Sequence, residues 1–351
     1  MAASRDGRKA ALSQRPGLLL LAALGALLTG CAAPSQLGRR DQQRIVNRTF
    51  IVTGASSGLG RGVALKLAGY GANVVLAARR TDVLDQLAAQ VSAAGGRPLV
   101  VGVDVGKPDD VAHLTQAAVE RFGRIDVWIN DAGVVAIGRF DQIPVEDQAR
   151  VIDVNLKGAI YGSYAAMRQF RQQGFGTLVN VASVEGRLPL AYQASYSASK
   201  HGIVGLDAAL NQELRLDGLR RTINVVTIEP WAVDTPIWQH AANYSGHTPR
   251  VIPMDGPQPT VDAIVWASIH PSKEVAVGWK AEASVISHQI LPGLAEDVAG
   301  SIVRREQFGA APPAPPTSGS LHAPMPAGTT VEGDTRARIK AEDQRSAEQR
   351  Q

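Results

Sequence analysis

The chain has 351 residues, 45% hydrophobic and 19% charged, so as a whole it is neither a disordered polymer nor a membrane-embedded one. Its single cysteine excludes an internal disulfide and a cysteine-based zinc site, and its seven histidines show no H-x-x-H or H-x-x-x-H spacing, so no metal centre is expected. The formal net charge is +4, but Arg5, Arg8, Lys9 and Arg15 against Asp6 place +3 of it in residues 1–30, which leaves the rest near neutral and argues against a nucleic-acid surface.

The N-terminus reads as a targeting segment, 1–30. A basic stretch precedes an apolar run at residues 17–29 (GLLLLAALGALLT), which is shorter than the ~20 residues of a comfortable transmembrane helix. The run ends in Leu28-Thr29-Gly30-Cys31 and resembles the lipobox of a bacterial lipoprotein. That resemblance implies lipidation at Cys31 and a membrane anchor at the cell envelope, with residues 31–44 as a polar tether. An uncleaved hydrophobic anchor, or a cytoplasmic protein whose start codon is set too far upstream, gives the same order of residues.

From residue 45 to 308 short apolar runs alternate with helical periodicity. The strand-like runs fall at residues 50–53, 74–77, 99–103, 127–129, 177–181, 223–226 and 274–277, with helical stretches such as 60–68, 83–94 and 109–122 between them. Runs apolar on both faces fit a parallel sheet covered on both sides. The expected fold is α/β: a single doubly wound Rossmann domain of about seven parallel strands.

The first run leads into Thr53-Gly54-Ala55-Ser56-Ser57-Gly58-Leu59-Gly60, which opens the first helix. Glycines there let the backbone turn tightly and approach a pyrophosphate, while the helix N-terminus offers free N–H groups to it. A dinucleotide is therefore expected. The second run ends Ala78-Arg79-Arg80, with no acid to bind a ribose 2′-hydroxyl. A guanidinium is the natural partner of a 2′-phosphate, so NADP(H) is favoured over NAD(H), with Arg79 as the main contact and Arg80 a lesser one.

Tyr196 and Lys200 are four residues apart at the start of a helical stretch and share one face. An ammonium beside a phenol, and a nicotinium cation, stabilise the phenolate and lower its pKa. Ser183 follows the run at 177–181 and could donate to a substrate oxygen as it gains charge. On these residues, the segment from about 45 to 305 resembles the short-chain dehydrogenase/reductase family, in its ordinary single-domain branch. TGASSGLG matches the family's TGxxxGxG, with Gly54, Ser56, Ser57, Gly58, Leu59 and Gly60 at the coenzyme. Asp104-Val105 matches the element that holds the adenine. Asn130-Asp131-Ala132-Gly133 matches NNAG, which implies coenzyme contacts for Asn130, Ala132 and Gly133. Asn155 matches the asparagine that holds a proton-relay water. Ser183, Tyr196 and Lys200 match the remaining catalytic positions, Tyr196 and Lys200 also meeting the coenzyme. PWAVDTP at 230–236 matches PGxVxTP, with Pro230, Val233 and Thr235 at the nicotinamide.

Two positions depart from that pattern. Asp131 replaces an asparagine and brings a carboxylate near the adenosine end. Trp231 replaces a glycine, so either its backbone is strained at positive φ or its indole walls the substrate pocket. The resemblance implies hydride transfer between a nicotinamide and the carbonyl or alcohol of a small, largely apolar substrate, in a homodimer or homotetramer built on the helices around Asn155 and Tyr196. The segment 231–259 stands where the family has its substrate lid, with Leu188 and Leu190 opposite. A non-catalytic NADP-binding sensor or scaffold of the envelope is the alternative, since an exported reductase lacks an evident NADPH supply. An extended-branch sugar-nucleotide epimerase fits less well, because its glycine spacing differs. After residue 308 the chain has no aromatic residue and is Pro/Gly/Ser-rich, so 309–351 is expected to be disordered.

Overall fold

Seven strands form one parallel sheet in the order β3-β2-β1-β4-β6-β7-β9. They are β1 (Thr49–Thr53), β2 (Asn73–Ala78), β3 (Arg97–Gly102), β4 (Val127–Asn130), β6 (Gly176–Val181), β7 (Ile223–Pro230) and β9 (Glu274–Val277). Their registers are all parallel, for example Ile51 with Val75 and with Trp128. The computed structural model describes residues 36–348, so the apolar run at 17–29 and Cys31 lie outside the described residues. Among the described residues no helix is long and apolar enough to cross a membrane.

Strand alternation sorts the core into two halves. Phe50, Val52, Val74 and Leu76 pack with Leu67 of α2 (Gly58–Ala68), Leu84 of α3 (Thr81–Ala93) and Ile264 of α8 (Gln258–Ile269). Ile51, Val75 and Trp128 face the other way. They meet Leu114 of α4 (Pro108–Phe122), Phe170 of α6 (Gly158–Gln173) and Leu214 of α7 (Ala194–Leu216). Helix α5 (Val145–Ile152) runs into α6 through one π-helical turn at Asp153–Lys157. Two short strands, β5 (Ala136–Ile137) and β8 (Ala242–Asn243), pair outside the main sheet. Helices α9 (Trp279–Ile290) and α10 (Pro292–Arg304) follow β9.

The sheet order reverses between β1 and β4. Crevices form at such a switch point, because the two strands send their connections to opposite faces. Here the strand ends nearly touch: a Cβ at Gly54 would lie 2.9 Å from the Ala132 backbone, and Gly54 has φ +73°. Thr53 ties the two ends together. Its hydroxyl accepts from Asp131 N–H (3.1 Å) and Ala132 N–H (3.2 Å) and donates to the Ile129 carbonyl (3.3 Å).

Two segments differ from the sequence expectation. Within the segment read as a tether, Leu37 is buried and α1 (Arg39–Gln43) docks on the domain, with Leu37 N–H donating to the Tyr70 hydroxyl. The C-terminal segment read as disordered lies along the domain and ends in α11 (Thr335–Glu348). Composition misleads there because the segment is held chiefly by its own backbone. Thr317 pairs with Asn243, Ser320 N–H donates to the His240 carbonyl, and Gly333 N–H donates to the Asp234 carbonyl.

Candidate active site

The site sits over the C-terminal ends of β1, β4, β6 and β7. Ser183 follows β6, and Tyr196 and Lys200 project from the first turns of α7. The Ser183 hydroxyl accepts from Glu185 N–H (3.1 Å) and lies close to the Tyr196 phenol. Lys200 Nζ lies 5.4 Å from the centre of the Tyr196 ring and donates to the Val181 carbonyl (2.7 Å). Ser183, Tyr196 and Lys200 thus come together as their spacing predicts.

Asn155 is drawn into the same region by the π turn, a backbone irregularity frequent at functional sites. Its amide is occupied by the chain. It accepts from Val134 N–H (2.8 Å) and donates to the Val134 carbonyl (2.9 Å) and to Ser199 Oγ (3.1 Å). The side chain therefore pins the strand after Gly133 to α7.

The protonation balance is set by burial. Burial pulls the Lys200 ammonium down to about 8, against the pull of Asp131 and Glu185. Burial pushes Asp131 up to about 7 and Glu185 up to about 8. The Tyr196 phenol is pushed above its ordinary value, first by burial and then by Glu185 and Asp131. Sequence reasoning expects a lowered phenol. In the protein without coenzyme, desolvation and the two carboxyls outweigh the ammonium. Glu185 was not foreseen. It accepts from Ser197 Oγ (2.7 Å) and is buried two residues from Ser183, where an acid in a loop ordinarily faces water.

The glycine loop fits a pyrophosphate. A Cβ on Gly60 would come within 2.7 Å of the Gly54 carbonyl, so only bare backbone closes this turn. Thr235 faces the loop, its Cβ 3.5 Å from the point a Gly58 side chain would occupy. Arg80 reaches into the loop and donates to Ser56 Oγ (3.0 Å), and Arg79 stands beside it. This makes Arg80 as much a part of the site as Arg79. Asp104 accepts from Gly106 N–H and pairs with Arg150 (2.6 Å). Val105 packs beneath Gly158. Pro230 ends β7, and the Val233 carbonyl accepts from the Trp238 indole (2.8 Å).

The side chain of Asn130 does not face the cleft. It accepts from Trp128 Nε1 (2.7 Å) and donates to Asn180 Oδ1 (2.8 Å) inside the core, so any coenzyme contact of Asn130 is left to its backbone. Trp231 has no positive φ, which removes the strain alternative. Its indole donates to the Pro253 carbonyl (2.7 Å) and fastens the lid loop. Tyr196 packs among Val135, Ile137, Ala241, Ile237 and Trp238, an apolar setting for a reacting carbon. Tyr244 is instead tied to Asp147.

The short chain dehydrogenase family profile matches residues 48–244, and this chain belongs to that family. It is 30% identical over 286 residues to the uncharacterised oxidoreductase YxnA of Bacillus subtilis, covering 80% of this chain and 79% of that one. It is 34% identical over 229 residues to 3beta-hydroxysteroid dehydrogenase 1 of Eggerthella lenta, covering 62% and 85%. A solved short-chain type dehydrogenase/reductase from Mycobacterium marinum matches with a TM-score of 0.56 at 26% identity, over 66% of this chain and 94% of that one. The protein is therefore an oxidoreductase of a family that binds a nicotinamide coenzyme and acts on CH–OH and C=O groups.

Proposed function

We propose that the protein is an NADP(H)-dependent reductase or dehydrogenase of a small, largely apolar carbonyl or alcohol. The observation that carries this reading is Lys200 Nζ 5.4 Å from the Tyr196 ring, one turn along the same helix, with Ser183 at the end of β6 close to the phenol. When bound, the coenzyme supplies or takes up the hydride. Gly54, Gly58 and Gly60 let the backbone approach its pyrophosphate, and Arg79, Arg80 and Ser56 suit a 2′-phosphate.

The rest is done by side chains of this chain. The Ser183 hydroxyl accepts from Glu185 N–H and has its own proton to donate to a substrate oxygen. Tyr196, half-buried and protonated, gives its proton to that oxygen as negative charge builds there. Lys200 holds positive charge beside the phenolate that remains. Ile237 and Trp238 exclude water from this exchange. An apolar secondary alcohol, of the kind named in the steroid dehydrogenase relative, suits these walls.

Lipidation at Cys31 would tether the protein to a membrane. Exposed Val145, Ile160 and Tyr164 on α5 and α6 support assembly into a dimer or tetramer. An envelope sensor without turnover is the second reading, motivated by the lipobox-like start. The deciding experiment is NADPH and NADH oxidation by the full chain with a panel of carbonyl compounds, beside Tyr196→Phe. Turnover with NADPH that vanishes in Tyr196→Phe, while NADPH binding persists, is the expected result. Retained turnover in that variant sinks the mechanism, and binding without turnover across the panel favours the sensor.

A further inference from the structure

The donors that would receive the coenzyme are already bonded within the chain. Residues 317–336 run from the lid across the mouth of the crevice. Arg79 donates to the carbonyls of Ser320 (2.6 Å) and Leu321 (3.1 Å). Arg80 donates to those of Met325 (3.0 Å) and Ala327 (3.1 Å) while still holding Ser56. Gly58 N–H, at the N-terminus of α2, donates to the Thr330 carbonyl (2.8 Å). Arg150, the partner of Asp104, donates to the Leu321 carbonyl (3.1 Å). The contacts follow the cleft from the adenine end, past both arginines, to the pyrophosphate turn.

We propose that residues 317–336 are an autoinhibitory strap that competes with NADP(H) for this cleft, an inference that rests on the coenzyme reading above. An N–H group that donates at 2.8 Å to a carbonyl is not free for a phosphate oxygen. The two occupants therefore exclude one another at Gly58 and compete at Arg79 and Arg80. The strap's acceptors are neutral carbonyls. Phosphate oxygens make charge-assisted bonds to the same donors, and such bonds are about twice as strong. The coenzyme can therefore displace the strap once its concentration suffices.

The anchors on either side are built to keep the strap at hand. On one side Thr317 pairs with Asn243. On the other, Asp234 accepts from the N–H groups of Thr335 and Arg336 (3.1 Å each) and so caps α11. Arg250, itself buried, holds α11 through Glu342 (3.3 Å) and Asp343 (2.6 Å). A segment fixed at both ends returns to the cleft at high effective concentration. It also lies very close to the lid: a Cβ on Gly333 would come within 2.7 Å of the Thr235 carbonyl.

The test uses the full chain, Gly333→Val, which pushes the strap off Thr235, and Arg336→Ala, which removes the arm that pairs with Asp234. Neither residue belongs to the catalytic set. NADPH affinity is read by fluorescence titration, and amide exchange is followed across 317–336 in the unaltered protein. The expected result is NADPH binding ~10-fold tighter in both variants, since the fraction of open cleft scales the apparent Kd. NADPH should also accelerate exchange in the strap of the unaltered chain. Equal or weaker affinity in the variants, or a strap that stays protected with NADPH bound, overturns the proposal and makes the segment a lid over the coenzyme. Failure of NADPH to bind any of the three proteins overturns the coenzyme reading and the strap with it.

Discussion

Asp131 carries a charge balance that its family position does not announce. It is half-buried, with Oδ2 2.9 Å from the point a Gly60 side chain would occupy and Lys200 nearby, and desolvation pushes it up to about 7. Above that pH it adds negative charge beside Tyr196 and raises the phenol. Asp131→Asn removes this charge. In alcohol oxidation the phenol must first lose its proton, so the acid limb of the kcat profile should move to lower pH by about half to one unit. An unmoved limb would mean that Asp131 stays protonated throughout catalysis. Residue-scale reading of the sequence succeeded where geometry is local: Tyr196 and Lys200 are one helical turn apart by spacing alone. It did not show where the Asn130 side chain points, although the signal was there. Trp128 and Asn130 are two apart on β4 and so share the face that α6 covers, which sends the amide into the core.

Helix α6 shows how an element is fitted to the sheet. Gly158 and Gly162 lie one turn apart on the face toward Val105 and Asn130, and a Cβ at 162 would overlap the Asn130 carboxamide. The backbone must pass that close for Asn130 to reach both Trp128 and Asn180. Gly162→Ala should destabilise the protein by about 1–3 kcal/mol in urea unfolding, the usual cost of overpacking. It should also lower activity, because α6 continues from the turn that carries Asn155. A change within about 0.5 kcal/mol, the range of ordinary surface substitutions, would show that the helix shifts freely. The main strands were legible because each is a short apolar run, and the central ones are buried on both faces. The β5–β8 pair was not, since two residues from segments a hundred positions apart leave no periodicity to read.

At the scale of the molecule, burial of unpaired acids makes stability depend on pH. Asp207 of α7 is almost wholly buried between Thr227, which donates to it at 2.8 Å, and Asn180. Burial pushes it up to about 7, well above its ordinary value of 3.8. Between those two pH values the native state binds more protons than the unfolded chain, so this contribution is full below the lower value and lost as pH rises through about 7. Asp207→Asn keeps the shape and removes the titration. Its Tm should therefore fall less than that of the unaltered protein between pH 5 and 8. Parallel Tm curves would place the buried proton elsewhere.

The single cysteine and most of the N-terminal charge lie outside the described residues, 36–348. By itself the sequence determined the parallel α/β domain, the glycine turn and the one-turn spacing of Tyr196 and Lys200, because these depend on short-range periodicity and on spacing within single elements; Ser183 joined them only through the family resemblance. Only the tertiary structure decided where the C-terminal segment lies. That segment is held through backbone carbonyls by arginines and an N–H group some 240 to 270 residues earlier. Every residue carries the same carbonyl, so such bonds leave no mark in composition.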